Sequence, residues 1–100
     1  MVKSEQEIID DINMHIKRCG GSYNAWYIGI SKDALDRLLN GHKVKEKKDA
    51  WIYRKASSSE VARDIEGHFI STLGTDGETG GGDDKTNMVY AYKKSAHTNP

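Results

Sequence analysis

At 100 residues and 11.2 kDa the chain has the size of one domain. Its 36% hydrophobic and 30% charged residues fit a soluble globular protein with one modest core. Apolar runs such as Ala25 to Ile28 are far short of the roughly 20 residues that cross a membrane. Fifteen basic and fifteen acidic side chains cancel, and the lone Cys19 excludes both an internal disulfide and a paired-thiol metal site.

Ser4, with Glu7 three residues on, has the pattern of a capping box. Ile8, Ile9, Ile12 and Ile16 recur at helical spacing until Gly20-Gly21, so residues 1–20 read as an N-terminal helix. The N-terminus lacks the basic-then-apolar order of a signal peptide, and a reduced cytoplasmic setting is expected. Tyr23 to Ile30 reads as a strand with Trp26, Ile28 and Ile30 on one face and Tyr27 and Gly29 on the other. Gly29 leaves space beside Tyr27 for a backbone or a ligand.

Ser31 is the expected N-cap of a second helix reaching Asn40, with Ala34, Leu35, Leu38 and Leu39 as its apolar stripe and Gly41 as its stop. The following stretch carries Lys43, Lys45, Lys47, Lys48, Arg54 and Lys55 against only Glu46 and Asp49. Such a block can hold a phosphate backbone locally in a neutral chain, or be a solvated loop. Ala50 to Ala56 reads as a strand, and Ser57-Ser58-Ser59-Glu60 opens a third helix that runs to Leu73 and stops at Gly74. Thr75 to Asp84 is Gly- and Asp-rich, Met88 to Tyr92 is a final short strand, and residues 93–100 form a tail expected to fray. The expected fold class is α+β: a small three-stranded sheet with helices packed on it, in the order α-β-α-β-α-β.

Glu66 stands out because it falls inside the third helix's apolar arc of about 180°, between Ala62 and Phe69. A carboxylate there either snorkels at the edge or is held by a cation, for which Arg37 and a metal ion are the candidates. Arg37 lies about 60° outside its own helix's stripe, where its guanidinium can fork onto phosphate or carboxylate. Thr79-Gly80-Gly81-Gly82-Asp83-Asp84 could form a phosphate nest or be a surface loop, and Asp83 and Asp84 could meet a cation. His15, His42, His68 and His97 are scattered, so zinc is not expected, and no Ser or Cys sits in a nucleophile elbow.

With Tyr27, Arg37 and Glu66 on successive elements, the chain resembles the GIY-YIG endonuclease family over about residues 23–73. Trp26-Tyr27-Ile28-Gly29-Ile30-Ser31 looks like that family's Tyr-Ile-Gly strand. Arg37 stands ten positions after the tyrosine, His42 five after the arginine, and Glu60 to Ile70 is similar to the helix bearing the family's metal-binding glutamate. The family's upstream Gly-Ile-Tyr strand, which forms a hairpin with the Tyr-Ile-Gly strand, has no counterpart about ten residues before Tyr27, where Lys17 lies in the first helix. Asn87 is the only downstream match, before the tail, for the family's asparagine.

The resemblance implies a core over residues 23–92 that hydrolyses phosphodiester bonds in DNA. Glu66 would hold one Mg²⁺ or Mn²⁺, Tyr27 would orient or deprotonate water, Arg37 would hold the phosphate, and His42 would assist proton transfer. Lys43, Lys45, Lys47 and Lys48 would track the DNA backbone. Target recognition would be low or delegated to a protein partner. Two alternatives stay open: a non-catalytic nucleic-acid-binding relative, and an unrelated interaction domain whose first helix meets a protein.

Overall fold

The computed structural model describes residues 2–78 and 83–100. Helix α1 (Glu5–Cys19) begins on the capping box read from the sequence: the Glu7 amide donates to Ser4 Oγ at 3.2 Å, and the Ser4 amide donates to Glu7 Oε1 at 3.0 Å. Ile8, Ile12 and Ile16 are its buried stripe, and Gly20, at φ 88°, ends it in a backbone conformation that a side chain would strain. Helix α2 (Ala34–Asp36) continues as a π-helical turn, Arg37–Gly41. Its cap is Asp33 rather than the expected Ser31, because Ser31 is drawn into the sheet opposite Met88. Helix α3 (Ser59–Gly67) is capped by Ser58, runs on as a π-helical segment, His68–Leu73, and stops at the left-handed Gly74.

The fold is α+β, with three antiparallel strands in the order β1-β3-β2. Strand β1 (Trp26–Ser31) starts three residues later than expected, because Tyr23–Ala25 form a 3-10 turn in which the Trp26 amide bonds to Tyr23 O. Strands β2 (Trp51–Lys55) and β3 (Met88–Lys93) complete the sheet, so the last strand in the chain is the central one. The register aligns Tyr27, Tyr92 and Trp51 in one row and Gly29, Tyr90 and Tyr53 in the next. Asp76 covers the outer edge of β1: the Ile28 amide donates to Asp76 O at 2.9 Å, and the Asp76 amide donates to Trp26 O at 2.8 Å.

Strand alternation separates two cores. On one face Trp26, Ile28, Ile52, Val89 and Ala91 meet Ile8 and Ile12 of α1 and Ala62, Ile65 and Phe69 of α3. On the other, Ala34, Leu38 and Val44 lie on Tyr90 and Tyr92, with Tyr27, Trp51 and Tyr53 packed around them. Each fully buried Ile, Phe or Leu contributes about 1.5–3 kcal/mol, which makes the helix-rich face the larger source of stability. Residues 94–99, expected to fray, are tied down. The Lys94 amide bonds to Ala25 O, the Asn99 amide to His42 O at 2.7 Å, and His97 Nε2 lies 2.5 Å from Asp49 Oδ2. Among the described residues no helix is long and apolar enough to cross a membrane.

Candidate functional site

Gly29 is the architectural residue of the site. A β-carbon there would lie 2.4 Å from the Tyr90 ring and hydroxyl, so glycine is what allows the Tyr90 ring to lean from β3 across β1. The two residues face each other in the register, and both line a cleft of about 590 Å³ beside β1. Tyr27 of β1, Arg37 of the π-helical turn after α2 and Glu66 of α3 line the same cleft. Arg37 and Glu66 belong to helical segments on opposite sheet faces, and both line the cleft at the outer strand β1 without pairing with each other.

Glu66 is 3% exposed, and among the described residues no hydrogen bond or ion pair holds its carboxylate. Burial pushes its pKa up to about 7, with the Arg63 charge pulling the other way. Arg37 is exposed at the rim, where Gly41 leaves room for its side chain. Tyr27 stacks on Tyr92 at 5.3 Å between ring centroids and leans on His42 at 4.7 Å. Burial raises the Tyr27 pKa, and Glu78, Asp76 and Glu66 raise it further against a smaller opposing effect of Arg37. The phenol therefore keeps its proton at neutral pH and can orient a water better than it can deprotonate one.

His42 is buried behind this layer rather than lining the cleft. Its Nδ1 lies 2.7 Å from the Asn99 carbonyl, which can only accept, so Nδ1 carries the proton. Nε2 is then the acceptor for the Tyr90 hydroxyl at 2.7 Å, and Tyr92 Oη sits 3.2 Å from Nδ1. Burial lowers the His42 pKa, partly offset by the bond to Asn99, and keeps the ring neutral. Burial likewise raises the Tyr90 pKa, so the chain of bonds fixes a protonated hydroxyl. His42 thus acts on Tyr90, which sequence reasoning missed. The available signal was a glycine inside a strand, which marks a close approach but not the residue that makes it.

The four loop lysines are not brought into the cleft. Lys43, Lys45, Lys47 and Lys48 are exposed on a turn in which the Lys45 amide donates to Asp49 Oδ2 at 2.7 Å. Trp51 Nε1 donates to Glu46 O at 2.9 Å, which sets this turn beside β2 instead. Thr79 to Gly82 of the Gly-rich segment lie outside the described residues. Asp83 reaches the cleft, but its carboxylate already accepts from the Lys85 amide and Thr86 Oγ1. Asn87 uses its backbone carbonyl to accept from the Ala56 amide.

Among the described residues, no group of three His, Cys, Asp or Glu side chains is arranged to hold a metal ion. A magnesium ion commonly needs only one or two carboxylates, completing its shell with water and substrate phosphate. Glu66, buried, lining the cleft and without a partner among the described residues, fits a site of that one-carboxylate kind. Comparison with family models, curated proteins and solved structures gives no match for this chain.

Proposed function

We propose that the cleft beside β1 hydrolyses phosphodiester bonds in DNA with one divalent cation, in the manner of the GIY-YIG endonucleases that the sequence resembles. The observation that carries the proposal is the convergence on one cleft, from three separate elements, of Tyr27, Arg37 and a buried Glu66 that has no partner among the described residues. The sheet adds support. In the resembled family a tyrosine-bearing strand pairs with the Tyr-Ile-Gly strand, and here β3 pairs antiparallel with β1 and lays Tyr90 on Gly29. A tyrosine thus reaches the site from the far end of the chain instead of from upstream.

Glu66 would hold Mg²⁺ or Mn²⁺, which supplies Lewis-acid polarisation of the phosphate and stabilises the leaving oxygen. Arg37 forks onto the phosphate and offsets the charge that builds there. Tyr27, protonated, orients the attacking water. Tyr90, fixed by His42, supplies a second hydroxyl at the floor. Asp33, Asp36, Glu66, Glu78 and Asp83 line the cleft against Arg37 and Lys32, so a bare phosphodiester is repelled and cleavage requires the cation.

The test is nicking of supercoiled DNA with Mg²⁺ or Mn²⁺, comparing wild type with Glu66→Gln. The substitution keeps the shape and removes the charge, and should reduce cleavage about 10²- to 10³-fold while DNA binding persists or tightens. Absence of nicking by the wild type, or equal nicking by the variant, overturns the proposal. The second reading is a non-catalytic nucleic-acid-binding module, favoured by the one observation that the lysine turn stands apart from the cleft.

A further inference from the structure

The face that carries Tyr27, Tyr90 and Tyr92 does not end at α2. Its two rows continue onto β2 as Trp51 and Tyr53, side chains that are only half-buried. Their rings lie 5° from parallel with centroids 6.1 Å apart, and the bond from Trp51 Nε1 to Glu46 O fixes the indole in place. A groove of about 650 Å³ runs beside them, lined also by Lys3, Arg54, Lys55 and Met88. Asp11 pairs with Arg54 at 2.8 Å and Lys3 at 3.5 Å, which leaves three cations against one carboxylate there. The lysine turn adjoins Trp51 through Glu46.

Flat rings flanked by an excess of positive charge suit a ligand with both π-faces and phosphates. A peptide strand added to the β2 edge fits less well. Two carbonyls of that edge are already engaged: Lys55 O accepts from the Lys3 amide at 2.9 Å, and Tyr53 O accepts from Arg54 Nη1 at 2.8 Å. We infer that this groove is a second site, which binds an unpaired strand of nucleic acid with bases stacked on Trp51 and Tyr53 and phosphates held by Lys3, Arg54 and Lys55. Bases in a duplex have their faces covered by neighbours, so an unpaired strand is the form that can use the rings. The site goes beyond the hydrolytic cleft and does not depend on it, since β3 separates β1 from β2.

Tryptophan fluorescence reads the proposal directly. Trp26 is fully buried, so quenching by an added base reports Trp51. Titration with a ten-nucleotide oligothymidylate should give a saturable quench, and a blunt duplex of equal length should bind at least about tenfold more weakly. Tyr53→Ala should weaken oligothymidylate binding about tenfold. Lys55→Glu, an exposed change that leaves the rings in place, should weaken it several-fold and flatten the log–log salt dependence by about 0.7. Glu66→Gln should leave the quench intact, which separates failure of this site from failure of the cleft. Three results overturn the inference: no saturable quench, an equal quench from a base-free polyphosphate, or unchanged affinity in both Tyr53→Ala and Lys55→Glu.

Discussion

The two flanks of the aromatic sheet face use similar side chains to different ends. Over β1 and β3, Tyr27, Tyr90 and Tyr92 pack with α2 and His42, and burial holds their protons on. Over β2, Trp51 and Tyr53 sit half-buried at the margin of the same cluster and keep part of their rings accessible beside Lys55. The charge follows the cover: acidic residues dominate the enclosed flank and basic ones the open flank. The difference teaches that an aromatic residue's role is set by what lies on top of it. Enclosure makes a phenol a fixed hydroxyl, whereas exposure leaves its ring face free for stacking.

The contrast can be broken most severely at the cleft. Arg37→Ala should abolish detectable nicking and also weaken DNA binding, whereas Tyr27→Phe should slow nicking with metal affinity unchanged, as nicking assays and metal titrations would show. Equal losses of binding in both variants would mean that the two residues are not dividing the work as proposed.

A second measurement concerns the buried carboxylate. Glu66 titrates near pH 7 in the fold against 4.5 ordinarily. The fold therefore favours its protonated form, and the associated stability is full below pH 4.5 and lost as pH rises towards 7. Glu66→Gln should melt close to wild type at pH 4.5 and exceed it at pH 8 by up to about 3 kcal/mol, or on the order of 10 °C. The lowered pKa of His42 acts oppositely, costing stability as pH falls below 6.5, and cancels from the difference between the two proteins. Added Mg²⁺ should stabilise the wild type and not the variant. A melting difference independent of pH would show that Glu66 is not the group responsible.

Smaller effects sharpen the boundary between the flanks. Gly29→Ala drives a β-carbon into the Tyr90 ring and should cost about 1–3 kcal/mol in denaturant unfolding, with the His42 bond disturbed. Replacing Lys43, Lys45, Lys47 and Lys48 together by Ala should leave stability near wild type. It should reduce a duplex-binding salt slope of about −3 towards zero, as salt-dependent titration would measure. An unchanged slope would mark the turn as merely solvated.

The sequence made the local rules legible. The Ser4–Glu7 box, the alternation of Trp26, Ile28 and Ile30 against Tyr27, and the stop at Gly74 all follow from the chemistry of adjacent residues. So did the inward position of Glu66, because helical spacing alone places it in the apolar arc. What was not legible depends on partners distant in the chain. Ser31 looks like an N-cap until Met88 claims it for the sheet, and His42 looks like a cleft residue until Asn99 and Tyr90 take both ring nitrogens. Residues 94–99 read as loose because their anchors, Ala25, His42 and Asp49, lie on other elements.

The central position of β3 bears on how the chain is made. During synthesis β1 and β2 emerge first, yet neither pairs with the other, and both wait for Met88–Lys93. Sheet formation is consequently delayed until nearly the whole chain is available, through contacts such as Ile28 with Ala91 that close long loops and fold slowly. In the interval two strands rich in Trp, Tyr and Ile have the edges that β3 will fill left open, the condition in which nascent chains seek one another. A chain halted before residue 88 should accordingly aggregate rather than fold, and a chaperone that shields strand edges would serve this protein late in synthesis.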